Sequence, residues 1–259
     1  MPPKLIDDLR DLGLYYTAEN LDDIVARAQK NRRSPLQLLE TIVKNELSDR
    51  SQRSVERRLR RAKIGAFKAM TDFDWGWPKT IDRNAVERAL HLDFLETEGN
   101  IVLAAAQGLG KTMIAKNIAY QAVLAGHATR FVTASELLLD LASQDSPRTL
   151  DRRIKYWSNI KLLVIDEIGY LSYDNRNADL LFQVVSRRYE KKSLVITTNL
   201  AFTDWAKIFP NAASTTALID RIVHHSLIIH LEGKSYRLRE ATQDAKPVSR
   251  KPSSKNRSR

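Results

Sequence analysis

The stretch from Leu103 to Ala115, LAAAQGLGKTMIA, constrains the fold more than any other part of the chain. The residues leading into it, NIVLAAA, form a short apolar run that is typical of a buried parallel strand. The residues after it place apolar side chains at helical spacing, among them Ile114 and Ile118. A glycine-rich turn between a strand and a helix directs backbone N–H groups toward a phosphate at the helix N-terminus. The stretch therefore predicts a phosphate-binding loop within an α/β fold.

The loop follows the nucleotide-binding pattern G-x-x-x-x-G-K-[ST] except at its first glycine. Gly110, Lys111 and Thr112 match the end of the pattern, but Ala105 occupies the first glycine position. Alanine there would crowd the loop entrance if the position requires a positive φ. We expect a working site, in which Lys111 reaches the β- and γ-phosphates of ATP and Thr112 binds Mg²⁺. The residues expected to contact the nucleotide are Gln107, Gly108, Leu109, Gly110, Lys111, Thr112 and Met113.

Two later apolar runs end in polar residues that could complete the site. The run Leu162 to Ile165 ends in Asp166 and Glu167, 55 residues after Lys111, which leaves room for one helix–strand–helix unit. Asp166 is expected to hold Mg²⁺, and Glu167 to polarise the attacking water as a catalytic residue. The run SLVITTN ends in Asn199, whose amide could orient that water or contact the γ-phosphate.

The alternation of strands and helices predicts the architecture. TRFVTA, KLLVI and SLVIT alternate with helical segments, which predicts a parallel sheet covered by helices on both faces. The site should then lie at the carboxyl ends of the strands. Three parts are expected: a helical N-terminal DNA- or partner-binding domain (1–70), an ATPase domain (71–240) and a disordered basic tail (241–259). Arg237 and Arg239 alternate on a predicted final strand, and neither is assigned a catalytic role.

The N-terminal domain contains one helix whose start is well marked. In RSPLQLLETIVKNEL, Ser34 can cap the helix and Gln37 can complete a capping box. An apolar stripe at helical spacing follows and is predicted to belong to the core. Its members are Leu36, Leu39, Ile42, Val43 and Leu47.

Charge is concentrated at the two ends of the chain, whose formal net charge is +11. Residues 1–70 carry 15 basic and 10 acidic side chains, and residues 241–259 carry six basic and one acidic side chain. The residues between these two ends carry 21 basic and 20 acidic side chains, so they are nearly neutral. This polarity favours an anionic polymer as partner, although solubility alone could explain it. A dense cluster predicts contact with the DNA backbone, the alternative being a solvated face. Its members are Arg53, Arg57, Arg58, Arg60, Arg61 and Lys63.

Several classes of protein are excluded by what the chain lacks. It contains no cysteine, which excludes disulfides and thiolate metal sites. Its five histidines, including the neighbours His224 and His225, show no metal-ligand spacing. No apolar run approaches the roughly 18 residues of a membrane span, and the N-terminus lacks the layout of a signal peptide. We therefore expect a cytoplasmic protein without a membrane partner.

Together, Lys111–Thr112, Asp166–Glu167 and Asn199 at these spacings resemble an AAA+ ATPase. Within that superfamily the chain is similar to the IstB-type transposition helpers, relatives of the bacterial helicase loaders DnaC and DnaI. LLETIVKNEL…RRLRRAKIGAFKAMTDFDW resembles the helical domain of that family, and TALIDRIVHHS resembles the segment with its arginine finger. The resemblance covers nearly all of residues 1–240. It implies that Arg221 acts on the ATP of a neighbouring subunit, whereas the pattern alone also allows pairing with Asp220 or another acid.

The resemblance implies a homo-oligomer with ATP and Mg²⁺ at subunit interfaces. It would assemble on duplex DNA and help the transposase of the same mobile element engage its target. Three alternatives stay open: a replicative helicase loader acting on single strands, a DNA-binding module with a degenerate loop, and a small-molecule kinase. Arg187 and Arg188 are weaker candidates for an interface or sensing role, or surface cations before a turn.

Overall fold

The computed structural model describes residues 3–170 and 173–239. The chain divides into two compact units, Met1–Arg61 and Ala62–Arg259. The predicted tail, residues 241–259, lies outside the described residues. No helix among the described residues is both long and apolar enough to cross a membrane.

The first unit is helical, as predicted. It contains α1 (Pro3–Asp11), α2 (Tyr15–Lys30) and most of α3 (Pro35–Ala62). The start of α3 is the predicted capping box: the Gln37 backbone N–H donates to Ser34 Oγ at 3.3 Å, and the Ser34 N–H donates to Gln37 Oε1 at 2.9 Å. The predicted basic cluster lies on the last turns of this same helix and just beyond it.

The prediction that the apolar stripe of α3 belongs to the core is wrong. Leu36, Leu39, Val43 and Leu47 are all exposed, and only Ile42 is half-buried. The helix instead buries the neighbouring face, where the Glu46 carboxylate accepts a 2.7 Å hydrogen bond from the backbone N–H of Thr17. Apolar spacing identified the stripe, but spacing alone does not show which face a neighbouring helix covers.

The second unit is the α/β domain that the sequence predicts. Short 3₁₀ turns at Met70–Asp72, Asp93–Leu95, Ile168–Tyr170 and Phe202–Lys207 join its main elements. Those elements are β1 (Thr80–Ile81), α4 (Arg83–His91), β2 (Asn100–Ala105), α5 (Lys111–Leu124), β3 (Thr129–Thr133), α6 (Ala134–Ala142), α7 (Pro147–Asn159), β4 (Leu162–Asp166), α8 (Asn175–Arg188), β5 (Ser193–Thr198), α9 (Ala212–Val223) and β6 (Ser226–Glu232).

The six strands form one sheet in the order β1-β6-β2-β5-β4-β3. Every pairing is parallel except that of the short edge strand β1 with β6. Residues in β2, β4 and β5 are buried throughout, so helices cover both faces, as predicted for a parallel sheet. Because the strands are parallel, the carboxyl ends of β2, β4 and β5 meet at one edge.

The segment after β6 differs from the prediction. The structure has residues 236–239 in a helical turn and not in a final strand. The predicted strand rested on alternation of Arg237 and Arg239, which four residues do not establish. This helical turn brings the chain back over the phosphate-binding loop.

The tandem arginines at the end of α8 have structural partners. Arg188 is fully buried, and its guanidinium donates to the backbone carbonyls of Trp157, Ser158, Ile160, Lys161 and Ser193. Burial lowers the pKa of Arg188 to about 9, so the group stays charged at neutral pH. Arg187 pairs with Asp151 at 2.8 Å. Arg188 is therefore not a surface cation.

Candidate nucleotide-binding site

The phosphate-binding loop connects β2 to α5 as the sequence predicts. Positive φ angles in this loop belong to Gly108 (75°) and Gly110 (93°). Ala105 is the buried last residue of β2 and is not among the described residues with positive φ. The condition under which Ala105 would crowd the loop is therefore not met, and this departure from the pattern introduces no backbone strain.

Lys111 is the first residue of α5, and its ammonium group folds back on the loop. Nζ donates to the carbonyl oxygens of Ala105 at 2.6 Å and Ala106 at 2.7 Å. Burial lowers the pKa of Lys111; the nearby Asp166 carboxylate opposes this shift and the Arg237 guanidinium adds to it. A phosphate could displace the two carbonyls, because a full negative charge is the stronger partner for an ammonium group.

The ends of three neighbouring elements meet at Asp166. Its carboxylate accepts a hydrogen bond from Thr112 Oγ1, which lies 3.1 Å from Oδ1 and 3.0 Å from Oδ2. Thr197 Oγ1, near the end of β5, donates to Oδ1 as well. Hydroxyl and carboxylate oxygens are the ligands that Mg²⁺ prefers, so Thr112 and Asp166 fit the predicted magnesium site. The structure thus brings Thr112 and Asp166 together.

Glu167 stands next to this pair in an uncommon backbone conformation. Its φ is 63°, in the left-handed region, and its backbone N–H donates to Thr197 Oγ1 at 2.9 Å. This conformation turns the chain at the end of β4, and the exposed Glu167 side chain lines the cleft beside Lys111. Thr197 therefore connects the carboxylate of Asp166 with the backbone of Glu167, a role the sequence analysis did not assign.

Asn199 does not reach the same place. It lies beyond the end of β5 and is not among the residues lining the cleft. Its Oδ1 is buried, lacks a hydrogen-bond partner and faces Gly169, where an added Cβ would come within 2.2 Å of it. The water-orienting role expected for Asn199 therefore finds no support in this geometry, whereas Thr197 lines the cleft.

A cleft with an empty volume of about 960 Å³, its open mouth included, lies in front of the loop. Of the residues expected to contact ATP, Gly108 through Met113 line the cleft and Gln107 does not. Its apolar side is formed by Phe73, Trp77, Pro78 and Leu109, together with Tyr236. Phe73 and Trp77, which belong to the segment TDFDWGWPKT, are thus placed where a base could bind.

The helical turn after β6 closes one side of the cleft. The Tyr236 backbone N–H donates to the carbonyl of Gly108 at 2.9 Å, and Trp77 Nε1 donates to the carbonyl of Lys234 at 2.8 Å. Arg237 lines the cleft close enough to Lys111 to affect its pKa. The sequence analysis missed Arg237, since no local pattern connects a residue 126 positions after Lys111 with the loop.

The predicted arginine finger lies outside the cleft of its own chain. Arg221 is in the last turn of α9, where its Nη1 donates to the carbonyl of Ala217 at 2.9 Å and its guanidinium lies 4.9 Å from the centre of the Phe182 ring. Arg221 is half-buried and is not among the residues lining the cleft. Its place outside this cleft is compatible with action on another subunit.

Members of the basic cluster differ in exposure. Arg57, Arg60, Arg61 and Lys63 are exposed, while Arg53 and Arg58 are half-buried. Arg53 pairs with Asp49 one turn earlier, and Arg58 donates to Ser54 Oγ at 2.7 Å. The cluster therefore offers several cations to solvent along one helix.

The expectation that the histidines have no metal-ligand arrangement needs one correction. His224 and His225 meet Glu190, whose Oε1 lies 3.8 Å from Nδ1 of His224 and 3.5 Å from Nε2 of His225. These three exposed residues precede β5 and β6, at the sheet edge opposite the loop. Sequence spacing did not indicate this group, because Glu190 lies 34 positions before His224 in the chain.

Comparison with known proteins agrees with this geometry. Residues 7–244 match the family described as IstB-like ATP binding protein. A relative from Pseudomonas aeruginosa, named for ATP binding and insertion sequence IS21, is 34% identical over 251 residues, covering 95% of this chain and 94% of that protein. A similarly named relative of insertion sequence IS232 from Bacillus thuringiensis subsp. berliner is 33% identical, and the match covers 92% of this chain and 95% of that protein.

Among solved structures, DnaI is similar with a TM-score of 0.53 and 18% identity, covering 66% of this chain and 90% of that one. At this identity the likeness concerns the fold alone, and it agrees with the predicted α/β architecture built on a parallel sheet. The family match spans most of the chain, from the N-terminal helices through the turn after β6. The chain therefore belongs to the IstB-like ATP-binding proteins of IS21-type insertion sequences.

Proposed function

We propose that the chain hydrolyses ATP, assembles on duplex DNA and helps the transposase of its mobile element engage target DNA. The observation that carries the enzymatic part is the meeting of Thr112, Asp166 and Glu167 beside Lys111 at the N-terminus of α5. Phosphoryl transfer requires charge stabilisation and a positioned water more than covalent chemistry. These four residue types supply both.

Each residue has a specific role in this proposal. Lys111 exchanges the carbonyls of Ala105 and Ala106 for phosphate oxygens and stabilises the charge that develops on them. The Thr112 hydroxyl and the Asp166 carboxylate hold Mg²⁺, which when bound neutralises phosphate charge. Glu167 accepts a proton from the attacking water.

Completion of the site by a neighbouring subunit is part of the same proposal. Arg221 lies on α9, outside its own cleft, and would stabilise the γ-phosphate held by the next copy. This arrangement makes hydrolysis depend on assembly, because an isolated chain lacks that arginine at its cleft. The homo-oligomer would then carry ATP at each subunit interface.

DNA binding is proposed for the basic end of α3. Arg57, Arg60, Arg61 and Lys63 expose their charges there, and no base-reading motif accompanies them. Contacts of this kind bind the phosphate backbone, so affinity should depend weakly on sequence and fall steeply with salt. The transposase as partner is supported by relatives named for insertion sequences.

A helicase loader is the second candidate, favoured by the similarity of fold to DnaI. The two functions differ in the nucleic acid they engage: a loader acts on single strands, and the proposed helper acts on duplexes. The third candidate, a module with a degenerate loop, loses its main argument because Ala105 introduces no strain. The kinase candidate is not supported, because the family match covers most of the chain.

The test measures ATP hydrolysis with duplex DNA, with single-stranded DNA and without DNA. We expect stimulation by duplex, and loss of hydrolysis in Lys111→Ala and Glu167→Gln proteins. Matched controls carry the same chemical changes at exposed positions outside the cleft, Lys191→Ala and Glu96→Gln, and should hydrolyse normally. Stimulation by single strands alone would favour a loader, and absence of hydrolysis under every condition would favour a binding module.

A further inference from the structure

Two turns at the amino-terminal edge of the sheet bring two imidazoles and a carboxylate together. Glu190 lies in the turn between α8 and β5, and His224 and His225 form the turn between α9 and β6. One nitrogen or oxygen atom of each residue lies within 4.8 Å of those of the other two. None of the three residues lines the nucleotide cleft, so the group is separate from the site already described.

The atoms of this group are spaced like the ligands of a metal ion. Oε1 of Glu190 is 3.8 Å from Nδ1 of His224 and 3.5 Å from Nε2 of His225. Hydrogen bonds between nitrogen and oxygen span about 2.7–3.2 Å, so both distances are too long for one. In a tetrahedral zinc site with bonds of about 2.1 Å, neighbouring ligand atoms are about 3.4 Å apart. A small movement of exposed side chains is therefore sufficient to place a divalent cation between the three atoms.

The backbone holds both turns in place without a ligand. φ is 55° at Glu190 and 58° at His225, in the left-handed region that non-glycine residues adopt infrequently. On one side, the Lys192 N–H donates to the carbonyl of Arg188 at 2.9 Å. On the other side, the carbonyl of His225 accepts a 3.0 Å hydrogen bond from the Asn100 N–H. Because the turns are preorganised, binding an ion there would order little additional chain.

Two helices end at this group, and their ends favour a cation. α8 ends at Arg188 and α9 at Val223, so the carboxyl-terminal ends of both helices lie beside the three side chains. A helix carries a partial negative charge at this end, and the Glu190 carboxylate adds a full one. Imidazole ligands favour zinc, copper, nickel or iron over magnesium and calcium. The group therefore has the charge and the ligand atoms that a divalent transition-metal cation requires.

One hydroxyl competes with a metal ion for the same nitrogen. The Tyr189 hydroxyl lies 2.6 Å from Nδ1 of His224. Desolvation and the nearby Glu190 carboxylate raise the pKa of Tyr189, so at neutral pH its hydroxyl keeps the proton that it can donate to this nitrogen. A metal ion bound to Nδ1 would displace that hydrogen bond. Removal of the hydroxyl should therefore favour metal binding, whereas in a group held only by hydrogen bonds it would remove a contact.

We infer that Glu190, His224 and His225 form a binding site for a divalent transition-metal cation such as Zn²⁺, with water completing the coordination. The ion would join the end of α8 to the end of α9, the helix that carries Arg221. The site is distinct from the proposed magnesium site in the cleft, and it needs neither ATP nor DNA. Its existence can therefore be tested independently of the proposed hydrolysis.

The first experiment titrates Zn²⁺ into the full-length, metal-free chain by calorimetry, with excess Mg²⁺ to saturate sites made of oxygen ligands. We expect one zinc ion per chain, and a dissociation constant raised at least about tenfold in Glu190→Gln, His224→Ala and His225→Ala proteins. Changes to groups that only support a metal ligand already cost about 10–100-fold in affinity. The controls Glu232→Gln and His230→Ala carry the same changes at exposed positions of β6 and should bind like the wild type.

Circular dichroism without metal establishes that each variant folds. Absence of zinc binding by the wild type, or binding that survives all three changes, would overturn the inference.

The second experiment examines Tyr189→Phe, which removes the competing hydroxyl and keeps the ring that stacks on His224. We expect this protein to bind Zn²⁺ at least as tightly as the wild type. At a zinc concentration 100 times the dissociation constant, the melting temperature of both should rise by about 5–10 °C, and that of His224→Ala should stay unchanged. Loss of binding in Tyr189→Phe, or an equal rise in His224→Ala, would overturn the assignment of His224 as a ligand.

Discussion

Replacement of Thr197 by valine separates the positioning of Glu167 from the binding of nucleotide. The change is nearly isosteric and removes one hydroxyl that makes two contacts, a donation to Asp166 and an acceptance from the Glu167 backbone N–H. The second contact is one that holds Glu167 at a φ of 63°, a conformation that non-glycine residues adopt infrequently. Without it, the carboxylate of Glu167 should sample other positions.

The size of the effect follows from the two hydrogen bonds. Loss of a bond to a charged carboxylate costs about 1.5–3 kcal/mol, and a neutral bond costs about 1 kcal/mol. We expect a loss of about 3 kcal/mol in the stability of the α/β unit, which lowers its melting temperature by about 6–12 °C. If half of that energy also serves to position Glu167 in the transition state, kcat falls about tenfold.

The assay compares kcat for ATP hydrolysis with nucleotide affinity in the wild type, Thr197→Val and Thr197→Ser. Serine keeps the hydroxyl and should retain most of the rate, while valine lowers kcat and leaves the dissociation constant of ATP nearly unchanged. An equal loss of kcat in the valine and serine variants would mean that the rate depends on the methyl group of Thr197 and not on its hydroxyl. A valine variant with the wild-type rate would refute the proposed role of the Thr197–Glu167 contact.

Two further predictions concern stability. Arg188→Met keeps the side-chain bulk but leaves five carbonyls without their donor, so we expect a loss of about 3–5 kcal/mol, visible as a melting temperature at least about 6 °C lower; a change below about 2 °C would contradict it. Burial opposes ionisation of Asp140, but hydrogen bonds from Arg153 and Trp157 outweigh it and lower its pKa. Its stabilising contribution is therefore present above the ordinary aspartate pKa of about 3.9 and is lost as pH falls through the lower folded-state value. Urea unfolding should show Asp140→Asn less stable than wild type by about 1–3 kcal/mol at pH 7, with the difference shrinking under acid; a gap that stays constant would contradict this account.

The parts of the fold and site that the sequence predicted are those governed by local rules. A buried apolar run predicts a parallel strand, and the carboxyl ends of parallel strands meet at one edge, which was sufficient to bring Thr112 and Asp166 together. The same reasoning predicted that Asn199, which follows the next strand along the chain, also lies at this edge of the sheet. The role of Asn199 stays a prediction, because the chain turns after Thr198, the Asn199 Oδ1 lies toward Gly169, and Thr197 is the residue of this strand that lines the cleft.

The parts that could not be predicted depend on which surfaces the folded chain covers. Helical periodicity identified the stripe of α3 as apolar, but its exposure depends on which face α2 occupies, and the contact between Glu46 and Thr17 decides that. The position of Arg237 could not be predicted from local sequence either. Its position in the cleft results from the return of the chain through β6, a long-range pairing with β2 that leaves no trace in local sequence.

Arg237 and Lys111 give the cleft an electrostatic property that neither motif alone suggests. Burial makes Lys111 costly to charge and the nearby Arg237 guanidinium adds to that cost, so the pKa of Lys111 is lowered although Asp166 opposes the shift. An anion placed between the two cations would relieve their repulsion and stabilise the charged form of Lys111. We therefore expect the cleft to prefer ligands with several negative charges, such as the triphosphate of ATP, since two cations attract a multiply charged anion more strongly than a singly charged one. On this argument Arg237 contributes to nucleotide binding in the same chain, whereas Arg221 would act on its neighbour.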